Sequence, residues 1–138
     1  MWRDIAGATA AVLLAGIGVL HLVWTVSPWP ARSQEELARH VYGRGTVMPS
    51  ATACAVVGVG LLAAAYGVLG RAGLAPDLGL PVLFRLGTWL LAGVLLLRGA
   101  AGPLLDRSAD PAFARLDRIA YSPLCVALGL CTLAVATG

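Results

Sequence analysis

Few side chains in this sequence could do chemistry: two histidines, three cysteines, three tyrosines, seven carboxylates, and ten basic residues that are all arginine. His21 lies inside a long apolar run, with Trp24 three residues on and therefore on the same helical face. Imidazole is the one side chain in that run whose ordinary pKa falls near neutrality, which makes His21 the candidate acid or base. The plain alternatives are a neutral imidazole bonded to a neighbouring helix and, for Trp24, an interfacial anchor. Arg98 and Asp117 form the natural ion pair, because a charge below the headgroups is costly unless partnered. They could simply tie two helices together. In the functional reading Arg98 clamps a phosphate or carboxylate, and Asp117 orients that group or His21. Tyr121 would add a hydroxyl to the same pocket or serve as another interfacial anchor. The candidate site is therefore His21 and Asp117 in catalytic roles, with Trp24, Arg98 and Tyr121 as substrate contacts.

Other chemistries find less support. Cys54, Cys125 and Cys131 form no C-x-x-C pair, so thiol-redox and zinc sites lack their spacing. His21, Glu36, His40 and Asp117 follow no known ligand pattern, and no metal or cofactor is expected. Glu35 and Glu36 are adjacent and cannot share a helix face, so they make no carboxylate dyad. A net charge of +3, dispersed along the chain, argues against nucleic acid.

The elements that must position these residues are apolar helices. The 138-residue chain is 59% hydrophobic and 12% charged, with a mean hydropathy of +0.82, outside the usual globular range. Apolar stretches at about 5–26, 48–69, 81–105 and 117–137 each reach the roughly 20 residues a helix needs to cross a bilayer. The fold class expected is all-α: an integral membrane four-helix up-and-down bundle forming one domain over 1–138. The first stretch is too long for a typical signal-peptide core and is read as a retained span.

Local signals refine this plan. Ser27, Pro28, Trp29 and Pro30 end the first span. Ser33 with Glu36 is a capping-box pattern that starts a short interfacial helix, and Glu35 and Arg39 are spaced for an i,i+4 pair. Gly58, Gly60 and Ala63 to Ala65 mark the second span as an inner, tightly packed helix. In the third span Arg85 can snorkel outward. Arg98 stands either where Gly99, Gly102 and Pro103 break the helix early or below the membrane surface. Asp110 before Pro111 suits a helix start, and a helix begun there stacks Asp117, Tyr121 and Cys125 on one face. Pro123 would free the carbonyl of Ile119 and favour a kink. The two halves share no polar landmarks at matching offsets, so an inverted-repeat transporter is not supported.

Four alternating spans bring His21, Trp24, Arg98, Asp117 and Tyr121 to one end of the bundle whichever way it is inserted. That end carries loops 27–47 and 106–118 with Arg32, Arg39, Arg44, Arg107, Arg115 and Arg118, against Arg3, Arg71 and Arg85 on the other side. The positive-inside rule places these loops in the cytoplasm and both termini outside.

At H-L-V-W (His21 to Trp24), W-P (Trp29 and Pro30), M-P-S (Met48 to Ser50), L-L-R-G (Leu96 to Gly99) and F-A-R-L-D-R-I-A-Y-S-P-L-C (Phe113 to Cys125), nearly the whole chain resembles one family. It is a family of small four-pass bacterial membrane proteins, mainly actinobacterial, catalogued as a domain of unknown function. The resemblance implies architecture and a bacterial inner-membrane location, and it carries no catalytic residue with it.

The expected role is to bind or process an amphipathic, lipid-like small molecule in a polar pocket at the cytoplasmic face. The enzymatic version would be an isomerase, cyclase or hydrolase-like reaction on an apolar substrate. The alternative is a non-catalytic scaffold or partner subunit whose Gly/Ala-rich faces pack in a homo-oligomer or on another membrane protein. A small-molecule transporter comes third, because no charge lies near the bilayer midplane.

Overall fold

A computed structural model describes residues 1–138. Six α-helices are joined by short turns with no strand: α1 Trp2–Val23, α2 Gln34–Leu37, α3 Ala51–Ala72, α4 Pro81–Leu105, α5 Pro111–Leu116 and α6 Ser122–Thr137. A π-helical turn, Ala38–Tyr42, extends α2, and a second, Asp117–Tyr121, fuses α5 to α6. Four helices are therefore long and apolar enough to cross a membrane: Trp2–Val23, Ala51–Ala72, Pro81–Ser108 and Pro111–Thr137.

These are the four spans expected, with shifted ends. The first begins at Trp2 and stops at Val23, where Trp24 closes the last turn. The second begins at Ala51 because the Ser50 hydroxyl accepts the amide of Ala53. The fourth starts six residues early, at Pro111, where the Asp110 carboxylate accepts the amide of Ala112. Proline at the first helical position removes a donor that would have no partner there.

The short interfacial helix forms as its signal implies. The Ser33 hydroxyl accepts the Glu36 amide at 3.1 Å, while the Glu36 carboxylate reaches one residue further back than a capping box requires and accepts the amide of Arg32 at 2.8 Å. Glu35 and Arg39 make no ion pair; the pairs present are the N-terminal amine with Asp4 and Arg98 with Asp117.

The bundle is built as two tight helix pairs. α1 runs along α3 and α4 along α6, while α1 with α6 and α3 with α4 meet less extensively. Small residues set the close approaches. A Cβ on Gly58 would stand 2.8 Å from the Gly18 carbonyl oxygen, and one on Gly99 would stand 2.9 Å from the Ser122 carbonyl oxygen. Ala10, Ala11 and Leu14 of α1 meet Ala65, Val68 and Ala72 of α3 and Leu128 and Val135 of α6 in the main core. Outward positions are apolar as well: Val12, Val19, Val59, Leu86, Leu90 and Leu97 are all more than half exposed. A shell of that kind needs a hydrocarbon solvent.

One expectation for α3 is corrected. Gly58 does face a neighbour, but Gly60 opens onto free space and Ala63 and Ala64 line an outward groove. α3 therefore has a packed face and a lipid face, because only α1 is pressed closely against it.

The crossing of α1 and α3 rests on backbone contact, so Gly58→Ala should lower stability by about 1–3 kcal/mol, the usual cost of overpacking. Gly16→Ala, at an α1 position where a Cβ meets nothing within 4 Å, should be neutral or slightly stabilising. Unfolding of both variants in mixed micelles checks the contrast.

Candidate functional site

The end of the bundle that carries the two arginine-rich loops holds two distinct polar places. The first lies between α4 and the fused α5–α6 helix. Asp117 is fully buried, with Oδ1 taking the Arg98 Nη2 proton at 2.5 Å and Oδ2 taking the Ser122 hydroxyl at 2.6 Å. Arg98 Nη1 also approaches the Ser122 oxygen at 3.5 Å. The Arg98 side chain keeps 38% of its surface exposed, so the guanidinium spans from the surface to the buried carboxylate.

Local geometry explains why this works. α4 does not break at Gly99 or Gly102; it continues to Leu105, which leaves Arg98 about two turns inside an apolar helix and in need of a partner. Gly102 stands one turn after Arg98, and a Cβ there would strike Arg98 Nη1, Ser122 Oγ and Asp117 Oδ2. Only glycine leaves room for the guanidinium to cross toward α6. On the other side, the π-helical turn bonds the Ser122 amide to the Asp117 carbonyl, five residues back. A wider turn brings positions i and i+5 into one column, which sets the Ser122 hydroxyl against its own helix's carboxylate.

That turn also corrects the expected stacking of Tyr121 on Asp117. The extra residue in the turn rotates Tyr121 off the Asp117 face, and the Tyr121 hydroxyl instead donates to the His40 carbonyl at 3.0 Å. The phenol ring leans on Phe113, 5.9 Å between centroids. Phe113 packs against Gly43, whose φ of +71° and lack of a side chain admit it, and the Gly43 carbonyl accepts the Asp110 amide at 3.0 Å. The two polar loops are thus clasped together at Tyr121, Phe113 and Gly43. Asp106, at the end of α4, is buried beside Asp117, and its Oδ2 has no hydrogen-bond partner.

The second place is a cleft of about 240 Å³ between the end of α1 and the start of α3, lined by His21, Trp24, Val41, Tyr42, Met48 and Cys54 among others. His21 Nδ1 lies 2.8 Å from the Ile17 carbonyl oxygen, a contact that requires the proton on Nδ1. In the neutral ring that bond leaves Nε2 as the nitrogen free to accept a hydrogen bond. Trp24 packs at a tilt against the imidazole, 4.7 Å between centroids, and is itself buried on Leu37 and Cys54, with its indole N–H donated to the Trp29 carbonyl at 3.0 Å. The imidazole is held by its own helix and by an aromatic wall.

The sequence-level candidates therefore divide. Arg98 and Asp117 come together, His21 and Trp24 come together, and the His21 cleft includes neither Arg98, Asp117 nor Tyr121. A single pocket joining all five does not form. Asp117 makes no hydrogen bond to His21: its oxygens accept from Arg98 and Ser122, and the imidazole bonds the Ile17 carbonyl. No three His, Cys, Asp or Glu side chains converge as a metal site would need. Sequence reasoning missed Ser122 and Gly102 as members of the ion-pair cluster. The Ser122-Pro123 dipeptide inside an apolar helix was the one local sign of a polar contact there.

Four membrane-length helices with their polar side chains gathered in two end clusters define a multi-pass integral membrane helical bundle. Residues 14–132 match the family described as "Protein of unknown function (DUF3995)", and the chain belongs to that family. No curated protein and no solved structure matches the chain.

Ser122→Ala would leave Asp117 Oδ2 buried without a donor and should cost about 1–3 kcal/mol. Tyr121→Phe should cost about 1 kcal/mol and, more specifically, speed amide hydrogen exchange over residues 38–43, where the clasp is made. Exchange mass spectrometry in micelles reads both; unchanged exchange over that segment would show that the clasp does not order the loop.

Proposed function

We propose that the protein binds an amphipathic, lipid-like small molecule at the His21 cleft, with the Arg98–Asp117 cluster serving to hold the bundle together. One observation carries the reading: a mostly apolar cleft is lined by an imidazole whose Nδ1 is fixed on the Ile17 carbonyl, a combination suited to a hydroxyl or amine on an apolar body. The cleft volume is below the roughly 300–1,000 Å³ of whole-ligand pockets, so it takes the polar head and first part of a ligand whose tail lies in lipid. His21 Nε2 accepts a hydrogen bond from that head. Binding is favoured over turnover because both Arg98 and Asp117 are spent on each other.

By the arginine distribution, loops 27–47 and 106–118 face the cytoplasm of a bacterial cell, with the protein in the inner membrane and both termini outside. A second reading, a non-catalytic partner subunit, draws on Gly16, Gly60 and Gly93, where the helix surface is open to the approach of another helix.

A long-chain alcohol bearing a diazirine and an alkyne, photolysed in membranes containing the protein, should label the segments around Val41–Tyr42 and Met48–Val57. His21→Ala should reduce that labelling about two- to tenfold, the worth of one hydrogen bond. Labelling spread evenly over all four spans, or indifferent to His21→Ala, would refute the cleft as the site.

A further inference from the structure

The loose seam of the bundle lies between α3 and α4, and it opens at the end opposite the His21 cleft. There an apolar groove of about 460 Å³ runs between the helices, lined by Ala63 and Gly67 on one side and by Phe84, Gly87, Leu91 and Val94 on the other. Its neighbour across Phe84 is a polar recess of about 270 Å³ bounded by Gly70, Arg71, Asp77, Pro81 and Arg85. Phe84 walls both, its ring against Gly70 and in a T-shaped pair with Tyr66.

The charges in this recess do not cancel. Arg85 makes no hydrogen bond or ion pair within the chain. Arg71 donates one Nη to the Ala136 carbonyl at 3.3 Å, and its Nε is buried with no partner. Arg3 approaches from α1, donating to the Arg71 carbonyl at 2.6 Å, and its Nε is likewise unpartnered. The carboxylate here, Asp77, is occupied by the Gly79 amide and pairs with none of the arginines. Two guanidinium groups, Arg71 and Arg85, thus line the recess against one carboxylate, with Arg3 next to Arg71.

We infer that the α3–α4 seam is a binding site for an anionic glycerophospholipid, one acyl chain lying in the groove and the phosphate held by Arg85 and Arg71. The dimensions agree with this occupant. Arg85 and Val94 are nine residues apart, about 13 Å of helical rise, close to half of a hydrocarbon core of ~30 Å. The groove therefore runs from the headgroups to the midplane, the reach of one leaflet. Small residues on both walls keep it open, and its rims, Leu83, Leu90 and Val94, are more than half exposed to the lipid phase. Guanidinium groups suit the ligand, since their forked donors match phosphate oxygens. The site is independent of the His21 cleft.

Native mass spectrometry tests this on the whole protein, released from neutral detergent after incubation with equal amounts of phosphatidylglycerol and phosphatidylcholine of identical acyl chains. Phosphatidylglycerol adducts should exceed phosphatidylcholine adducts by about fivefold for each engaged arginine. Arg85→Gln has no internal bond to lose, so the fold stands and the excess should fall about fivefold. Gly87→Leu, at a position where a Cβ meets nothing within 4 Å, fills the groove and should reduce adducts of both lipids. Arg44→Gln, an exposed arginine of the opposite end, should leave the excess unchanged, which separates this site from surface charge in general. Equal adducts of the two lipids on the unaltered protein, an excess that survives Arg85→Gln, or adducts undiminished by Gly87→Leu would each overturn the assignment.

Discussion

A guanidinium and a carboxylate inside a helical bundle meant for lipid must find one another, and the organisation of this protein's polar end follows from that requirement. Arg98 sits well before the end of α4 and Asp117 is fully buried. Either charge alone would be expensive in such surroundings, so the pair constrains the helices that carry it. α6 must come close enough to α4 for a 2.5 Å contact, which is why Gly99 and Gly102 stand at the crossing and why the fourth span begins with a widened turn. The Ser122 hydroxyl then completes the acceptor shell of Asp117 with a second donor.

From that fixed point the rest of the end assembles. The turn that aligns Ser122 with Asp117 swings Tyr121 toward the first loop, where its hydroxyl reaches the His40 carbonyl while Phe113 settles on Gly43. The loop so held carries Val41 and Tyr42, which form one wall of the His21 cleft. The ion pair thus acts on the cleft through packing, without touching it. The remaining seam, between α3 and α4, has no comparable tie and stays partly open to lipid.

Much of this architecture is legible from residue order. Hydropathy and length locate the four spans, Ser33 and Asp110 announce their helix starts, and the cost of a buried charge pairs Arg98 with Asp117 before any coordinates are known. What stays hidden is rotational. A helix read at 3.6 residues per turn puts Tyr121 behind Asp117, and one π-helical turn undoes that, setting Ser122 against the carboxylate instead. The same holds for α3: runs of glycine and alanine permit close packing equally on every face, and the position of α1 decides that Gly58 is packed while Gly60 and Ala63 are not. Topology alone places His21 at the same end as Arg98, but the width of the bundle keeps them in separate places.

The dependence of the fold on the charge pair is open to direct measurement by a double-mutant cycle: Arg98→Met, Asp117→Asn and the double variant, unfolded in mixed micelles beside the unaltered protein. The account predicts that each single change costs about 3 kcal/mol, the low end for a broken buried pair because the Arg98 side chain is partly exposed, and that the double change costs far less than the sum. Single costs that add to within about 0.5 kcal/mol would mean the two side chains act independently. Asp117 would then not be what draws α6 onto α4.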